Sequence, residues 1–236
     1  MLRRCGAEFL GMFAYVFLGC GTRILLENPE HLLLVHLTFG FTLFIMTYSL
    51  GHISGAPLNP AVIFGLAVAR RFPWRFVWLY WLAQVGGALA ASCVHFLLIP
   101  LQSAHALFGA TVPQVGIVQA IAIEALLDFF LMIVVLAALT DTRVSRAVPG
   151  LSIGLTITVG GLFADSLTGG SMNPARSLAP ALLVGGQALA TVWVYWLGPL
   201  LGTTCGALIY EALRGGEVYA RRLLEQDQPQ GDEREP

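Results

Sequence analysis

Six stretches of this chain, near residues 5–26, 32–51, 74–98, 115–140, 148–166 and 188–213, are long apolar runs that carry little charge. Each is close to the roughly 20 apolar residues that a bilayer's hydrocarbon core demands of a spanning helix. No water is present there to satisfy a backbone N–H or C=O, so each run must close its hydrogen bonds within itself. An all-α polytopic membrane protein with six transmembrane helices is the expectation. Composition agrees. The chain is 56% hydrophobic and 11% charged, against about 25% charged residues in soluble domains.

A net charge of −1 argues against nucleic acid as a partner. Lysine is absent, and the arginines are unevenly placed. Arg3 and Arg4 precede the first span, Arg70, Arg71 and Arg75 precede the third, Arg143 and Arg146 join the fourth and fifth, and Arg214, Arg221 and Arg222 follow the sixth. The opposite loops hold Arg23 alone. The positive-inside rule then puts both termini in the cytoplasm, in a plasma membrane or a bacterial inner membrane. The first run lacks a clean cleavage site, so no removable signal peptide is expected. Cys5, Cys20, Cys93 and Cys205 form no CxxC pair and read as reduced core thiols. Residues 216–236 are polar and read as a short helix followed by disorder.

Two further apolar runs, 60–69 and 174–185, are too short to span. Each opens with Asn-Pro-Ala: Asn59, Pro60, Ala61 and Asn173, Pro174, Ala175. Asparagine is a preferred N-cap, and proline suits the first helical position, where its missing N–H would have no partner anyway. The runs read as half-helices that enter the membrane and turn back. Irregular backbone at that depth is tolerated only against protein or a wet cavity.

The two copies belong to a longer repeat. Glu8 in "AEFLGMF" and Glu124 in "IEALLDF" lie 51 and 49 residues before their asparagines, and "YWLAQVGGALA" from Tyr80 is echoed by "YWLGPLLGTTC" from Tyr195. These landmarks, in one order at near-equal spacing, indicate duplication: 1–110 as the first repeat, 111–215 as the second, and 216–236 as a cytoplasmic tail. Three spans per repeat is an odd number, so the halves insert upside down to one another, which places a site near the midplane. Glu8 and Glu124 are acids within spans, where charge is costly and usually faces the bundle interior. A proton path and a structural brace compete as their roles.

With both motifs at this spacing, the sequence resembles the aquaporins, the major intrinsic protein family, over about residues 5–213. "HISGAPLNPAV", "RRFPW", "LTDTR" and "GGSMNPARSLAPAL" are most similar to the plant nodulin-like branch and its bacterial relatives. The resemblance implies an aquaporin-like inverted 3+3 fold with six spans and two re-entrant half-helices. It implies a passive channel for water and small uncharged solutes, assembled as a homotetramer with one pore per protomer. In that frame the asparagine NH2 groups face the lumen, where a water oxygen accepts from both. Its own hydrogens then point away and the proton relay breaks. Carbonyls of the turns around His52, Ser54 and Gly55, and around Gly169, Gly170 and Ser171, would line the lumen. Glu8 and Glu124 resemble the family's loop-bracing glutamates. Asp128, one turn past Glu124, has no family role and is either neutral or bonded to the loop.

The family builds its selectivity filter from four positions, which fall here on Phe39, Gly161, Gly170 and Arg176. Arg176 is always charged and is expected at the outer constriction, where the first repeat has Val62. Strict water channels place histidine at the position of Gly161. Two glycines therefore suggest a wider pore, open to metalloid acids, urea or glycerol. Ser177, Ala181, Tyr195 and Trp196 follow the water-channel pattern instead. No metal-ligand cluster, nucleophile–base pair, phosphate loop or cofactor motif appears, so an enzyme is not expected. His31, His36, His95 and His105 read as interfacial or packing residues. An ion-coupled secondary transporter is the alternative, since inverted repeats and intramembrane acids suit coupling.

Overall fold

The structure, a computed structural model, describes residues 1–26, 28–100, 107–141 and 149–226; the side chains of 29 and 216–226 are outside the description. Six helical segments are long and apolar enough to cross a membrane. They are α1 (Leu2–Leu25), α2 (Leu32–Ser54), α4 (Val77–Leu98), α5 (Ile117–Thr140), α6 (Pro149–Thr168) and the pair α8 (Gly186–Thr191) and α9 (Val194–Gln226). Between them lie the half-helices α3 (Pro60–Val68) and α7 (Pro174–Val184), close to the expected 60–69 and 174–185. His105, Arg143, Arg146 and the tail past 226 lie outside the described residues.

Glycines set the distances between helices. A Cβ on Gly87 of α4 would lie 2.2 Å from the carbonyl oxygen of Phe9 in α1. A Cβ on Gly202 of α9 would lie 2.1 Å from that of Ala125 in α5. Phe9 follows Glu8 as Ala125 follows Glu124, so each pair of backbones touches beside an acid. The third contact joins α2 to α6. A Cβ on Gly40 would meet the Gly154 oxygen at 2.5 Å, and one on Gly154 would meet the Gly40 oxygen at 2.3 Å. Lipid tails are as apolar as leucine, so close backbone approach, rather than hydrophobic exclusion, supplies the packing between spans.

Two boundaries differ from expectation for one reason. Helix α2 runs through His52 to Ser54, and α6 runs to Thr168, so "GHIS" and "LT" are helical rather than irregular. Continuing the helix is the cheapest way to satisfy those peptide groups at depth. Each helix then ends at a glycine with positive φ: Gly55 (+87°), whose N–H donates to Gly51, and Gly169 (+83°), whose N–H donates to Ala164 and Asp165. The cysteines also differ. Cys20 is buried, but Cys93 and Cys205 lie on outward faces and are free thiols rather than core ones.

At the end that carries the termini, Arg71 forms a bidentate pair with Glu211 of α9, at 2.8 and 3.1 Å from its Nη2. Tyr210 donates to Asp141 at 2.9 Å. These bonds tie the loop after α3 and the end of α5 to α9.

Gly202→Val should force α9 off α5, with an overpacking cost on the order of 1–3 kcal/mol. The expected result is a clear fall in the apparent melting temperature of the detergent-solubilised protein. Gly86→Ala, whose new methyl meets only the Phe9 ring at 3.5 Å, should leave it unchanged.

Candidate functional site

The two half-helix N-termini meet deep in the bundle. Asn59 and Asn173 are extended, at φ −160° and −152°, and cap the helices with their side-chain oxygens. Asn59 Oδ1 accepts from Ala61 N at 2.9 Å, and Asn173 Oδ1 accepts from Ala175 N at 3.2 Å and Arg176 N at 3.3 Å. Ala61 and Ala175 are wholly buried. The residues just ahead, Leu58 and Met172, are left-handed at φ +44° and +50°. That conformation costs a bulky L-residue roughly 1–2 kcal/mol. It persists because both backbone groups of each residue are held. Leu58 N donates to Glu8 Oε2 at 3.2 Å, and Met172 N donates to Glu124 Oε2 at 2.9 Å. The carbonyls are held from the other half: Asn173 Nδ2 donates to Leu58 O at 2.9 Å, and Asn59 Nδ2 donates to Met172 O at 2.6 Å.

These crossed bonds correct one expectation. The two hydrogens of each amide do not both face the lumen. One is used across the junction, and Asn173 Nδ2 also lies 3.9 Å from the Met12 sulfur, a weak acceptor.

The acids are built into the loops. Glu8 also accepts from Gln84 at 2.7 Å, and Glu124 from the Thr168 hydroxyl at 2.6 Å and Ser171 N at 3.1 Å. Tyr80 donates to Ser54 O at 2.9 Å, and Tyr195 to Thr168 O at 2.6 Å. The Ser54 carbonyl therefore has one of its two lone pairs engaged by protein. Asp128 does not join Glu124 on the loop. It is wholly buried, and neither of its oxygens has a hydrogen-bond partner among the described residues. Ser177, set apart by its family pattern, is fully buried; it accepts from the Thr111 hydroxyl at 2.7 Å and contacts the Ser171 hydroxyl.

Two cavities flank the junction. One, of about 640 Å³ at the end with the termini, is lined by His52, Ser54, Gly55, Arg71 and Thr140 among others. The other, of about 350 Å³ at the opposite end, is lined by Arg23, Thr111, Asp165, Gly169 and Arg176 among others. Arg176 is only 4% exposed. Its Nη1 donates to Gly109 O at 2.8 Å, and its guanidinium lies 5.0 Å from the centre of the Phe39 ring. It does not snorkel to a surface. Phe39 itself leans on Tyr15, with ring centres 5.2 Å apart, over Gly19, where a Cβ would meet the ring at 2.2 Å.

Gly161 and Gly170 are adjacent: a Cβ on Gly170 would lie 2.7 Å from the Gly161 Cα. The space beside Gly161 is taken by another side chain. The His36 ring fills the space beside Gly161, where a Cβ would lie 2.1 Å from Nδ1. His36 Nε2 lies 2.8 Å from Asp165 Oδ1, and Arg23 pairs with the same carboxylate. The sequence reading took His36 for an interfacial or packing residue and passed over Asp165. Asp165 carried a usable signal, since it is an acid inside a span, as Glu8 is. His36 carried none, because its neighbour depends on the register of α2 against α6. Among the described residues no three His, Cys, Asp or Glu side chains gather as metal ligands.

Glu124→Leu strips three buried donors of their acceptor, at about 1–3 kcal/mol each. The expected outcome is loss of the monodisperse peak in detergent chromatography. Asp128→Leu removes a carboxyl without partners and should keep that peak, since a buried unpaired charge contributes no stability.

The sequence matches the family model described as major intrinsic protein over residues 1–210. It is 40% identical over 220 residues to Aquaporin NIP1-3 of Oryza sativa subsp. japonica, covering 92% of this chain and 76% of that protein. It is 39% identical over 220 residues to Putative aquaporin NIP4-1 of Arabidopsis thaliana, with the same coverage of 92% and 76%. The fold is similar to the X-ray structure of the aquaglyceroporin from Plasmodium falciparum, with a TM-score of 0.83, at 23% identity over 93% of this chain and 99% of that one. The crossed asparagines, the buried arginine beside them and six spans thus occur in a chain that is an integral membrane protein of the major intrinsic protein family.

Proposed function

We propose that the chain is a passive channel that conducts water and small uncharged solutes and excludes protons and ions. The observation that carries this reading is the junction of the half-helices. Their two N-termini converge, and each contributes roughly half a positive charge. The remaining N–H of each asparagine, that of Asn173 facing only the weak acceptor Met12 Sδ at 3.9 Å, offers a passing water two donors at one point. A water held there turns its hydrogens outward, and the fixed positive field opposes a cation. Arg176 adds a full charge beside the outer cavity and donors for a solute oxygen. Glu124 spends both carboxylate oxygens on donors of the second loop, and Glu8 spends Oε2 on Leu58 N and Gln84 while its Oε1 has no partner among the described residues. These bonds favour the brace over a proton path and weaken the case for an ion-coupled transporter.

The arginine-rich end, with both termini, is the cytoplasmic one in this reading, and the membrane is a plasma or bacterial inner membrane. The assembly is a homotetramer with one pore per protomer. The filter comprises Phe39, Gly170 and Arg176, with Gly161 set back behind the His36 ring. Metalloid acids, urea and glycerol are the solutes to compare with water.

Proteoliposomes are expected to swell several-fold faster than empty vesicles in stopped-flow light scattering, with no proton current by an internal pH dye. Swelling at the empty-vesicle rate would overturn the channel. Solute accumulation against its gradient, driven by protons or sodium, would replace it with a transporter. Replacing the filter cation by its first-repeat counterpart, Arg176→Val, should keep water flux within roughly threefold and raise cation leak by about tenfold or more, the loss of one local charge barrier. An unchanged leak would remove Arg176 from the barrier.

A further inference from the structure

We propose that His36 is a specificity-determining residue of the outer constriction, its imidazole standing where Gly161 has no side chain, and that Asp165 is the positioning residue that holds it there. The proposal rests on the channel reading above.

The two side chains exclude one another. A Cβ on Gly161 would lie 2.1 Å from His36 Nδ1 and 2.6 Å from its Cε1, far inside contact distance. The glycine in α6 therefore makes room for a ring from α2 rather than for a wider passage. His36 belongs to the constriction by position. Phe39, one turn along α2, has its ring centre 6.4 Å from the imidazole and itself lies under the Arg176 guanidinium. On the other side Asp165 lines the same outer cavity as Arg176. The ring thus sits between Asp165, at the cavity wall, and the Phe39 ring.

It is also held. Its Nε2 bonds Asp165 at 2.8 Å, and the Thr158 hydroxyl donates to its carbonyl oxygen at 3.1 Å. Arg23 from α1 pairs with the same carboxylate, so Asp165 is an acceptor and Nε2 carries the donated proton. In the tautomer that carries its proton on Nε2, Nδ1 is an acceptor, and among the described residues it has no protein donor. Arg176 supplies donors at the constriction, and His36 supplies the complementary acceptor. A water or a solute hydroxyl can be held by both, while a larger polyol meets the ring. Built of aromatic and cationic side chains, the constriction is narrower than its two glycines suggest, and α2 rather than α6 sets its width.

The test uses the full chain in proteoliposomes, with glycerol and urea permeability each divided by water permeability. His36→Ala is expected to raise both ratios roughly fivefold or more, as removal of a pocket wall does. Asp165→Ala should shift the ratios the same way and add nothing in the His36→Ala background. Gly161→His alone should lose flux by collision, and His36→Ala/Gly161→His should return the ratios to near wild type. Unchanged ratios in His36→Ala, with water flux intact, would overturn the proposal and leave the channel standing. Wild-type vesicles at the empty-vesicle rate would instead remove the channel reading, and this proposal with it. If His36→Ala fails to fold, His36→Cys supplies the answer. An externally added thiol-reactive sulfonate should block its flux and spare wild type, and equal response of the two would refute a place for residue 36 at the constriction.

Discussion

Two hydrogen bonds hold the centre of this protein together, from Asn59 to the Met172 carbonyl and from Asn173 to the Leu58 carbonyl. Each asparagine caps its own half-helix with oxygen and ties down the opposite loop with nitrogen. The carbonyl it ties belongs to a left-handed residue whose N–H is held by the acid of its own half. Backbone conformations that a leucine or methionine adopts only at a cost are thus determined from both sides. Neither half-helix has a place without the other, because each lacks one of its partners when alone. The glycine contacts of Gly87 and Gly202 set the acids at the right depth for this arrangement, since they fix α1 on α4 and α5 on α9.

The cavity beside Arg176 follows from the same junction. Arg176 stands one turn into α7, so the cap that orients the half-helix also aims the guanidinium. The Gly109 carbonyl and the Phe39 ring complete its setting. Buried arginine in a membrane is costly unless its donors and charge are met, and a wet cavity on one side meets the remainder. His36, Asp165 and Arg23 form the adjoining layer, in which a carboxylate neutralises one arginine and orients one imidazole. Arg23 and Arg176 are the exceptions to the one-sided distribution of arginine, and the pairing of Arg23 with Asp165 accounts for the first.

Much of this was legible before any coordinates. Span length, apolar content and the Asn-Pro starts are local properties, and a helix cap is decided within four residues. The spans and half-helices accordingly lie within a few residues of where patterning put them. The misplacements are also local in origin: α2 and α6 run on to Ser54 and Thr168 because helix is the cheapest backbone at depth. Composition placed all four cysteines in the core, whereas Cys93 and Cys205 face outward, since in lipid an apolar residue faces out as readily as in.

The sequence by itself determined the solvent, the helices, the two capped half-helices and the kind of charge beside them. All of these depend on residues adjacent in the chain. The tertiary structure alone decided which amide hydrogen crosses the junction, that Asp128 meets no loop, and that the space at Gly161 is occupied. A missing side chain is not a gap until its neighbours are known. Here the neighbour is His36, brought from another helix by the touching backbones of Gly40 and Gly154.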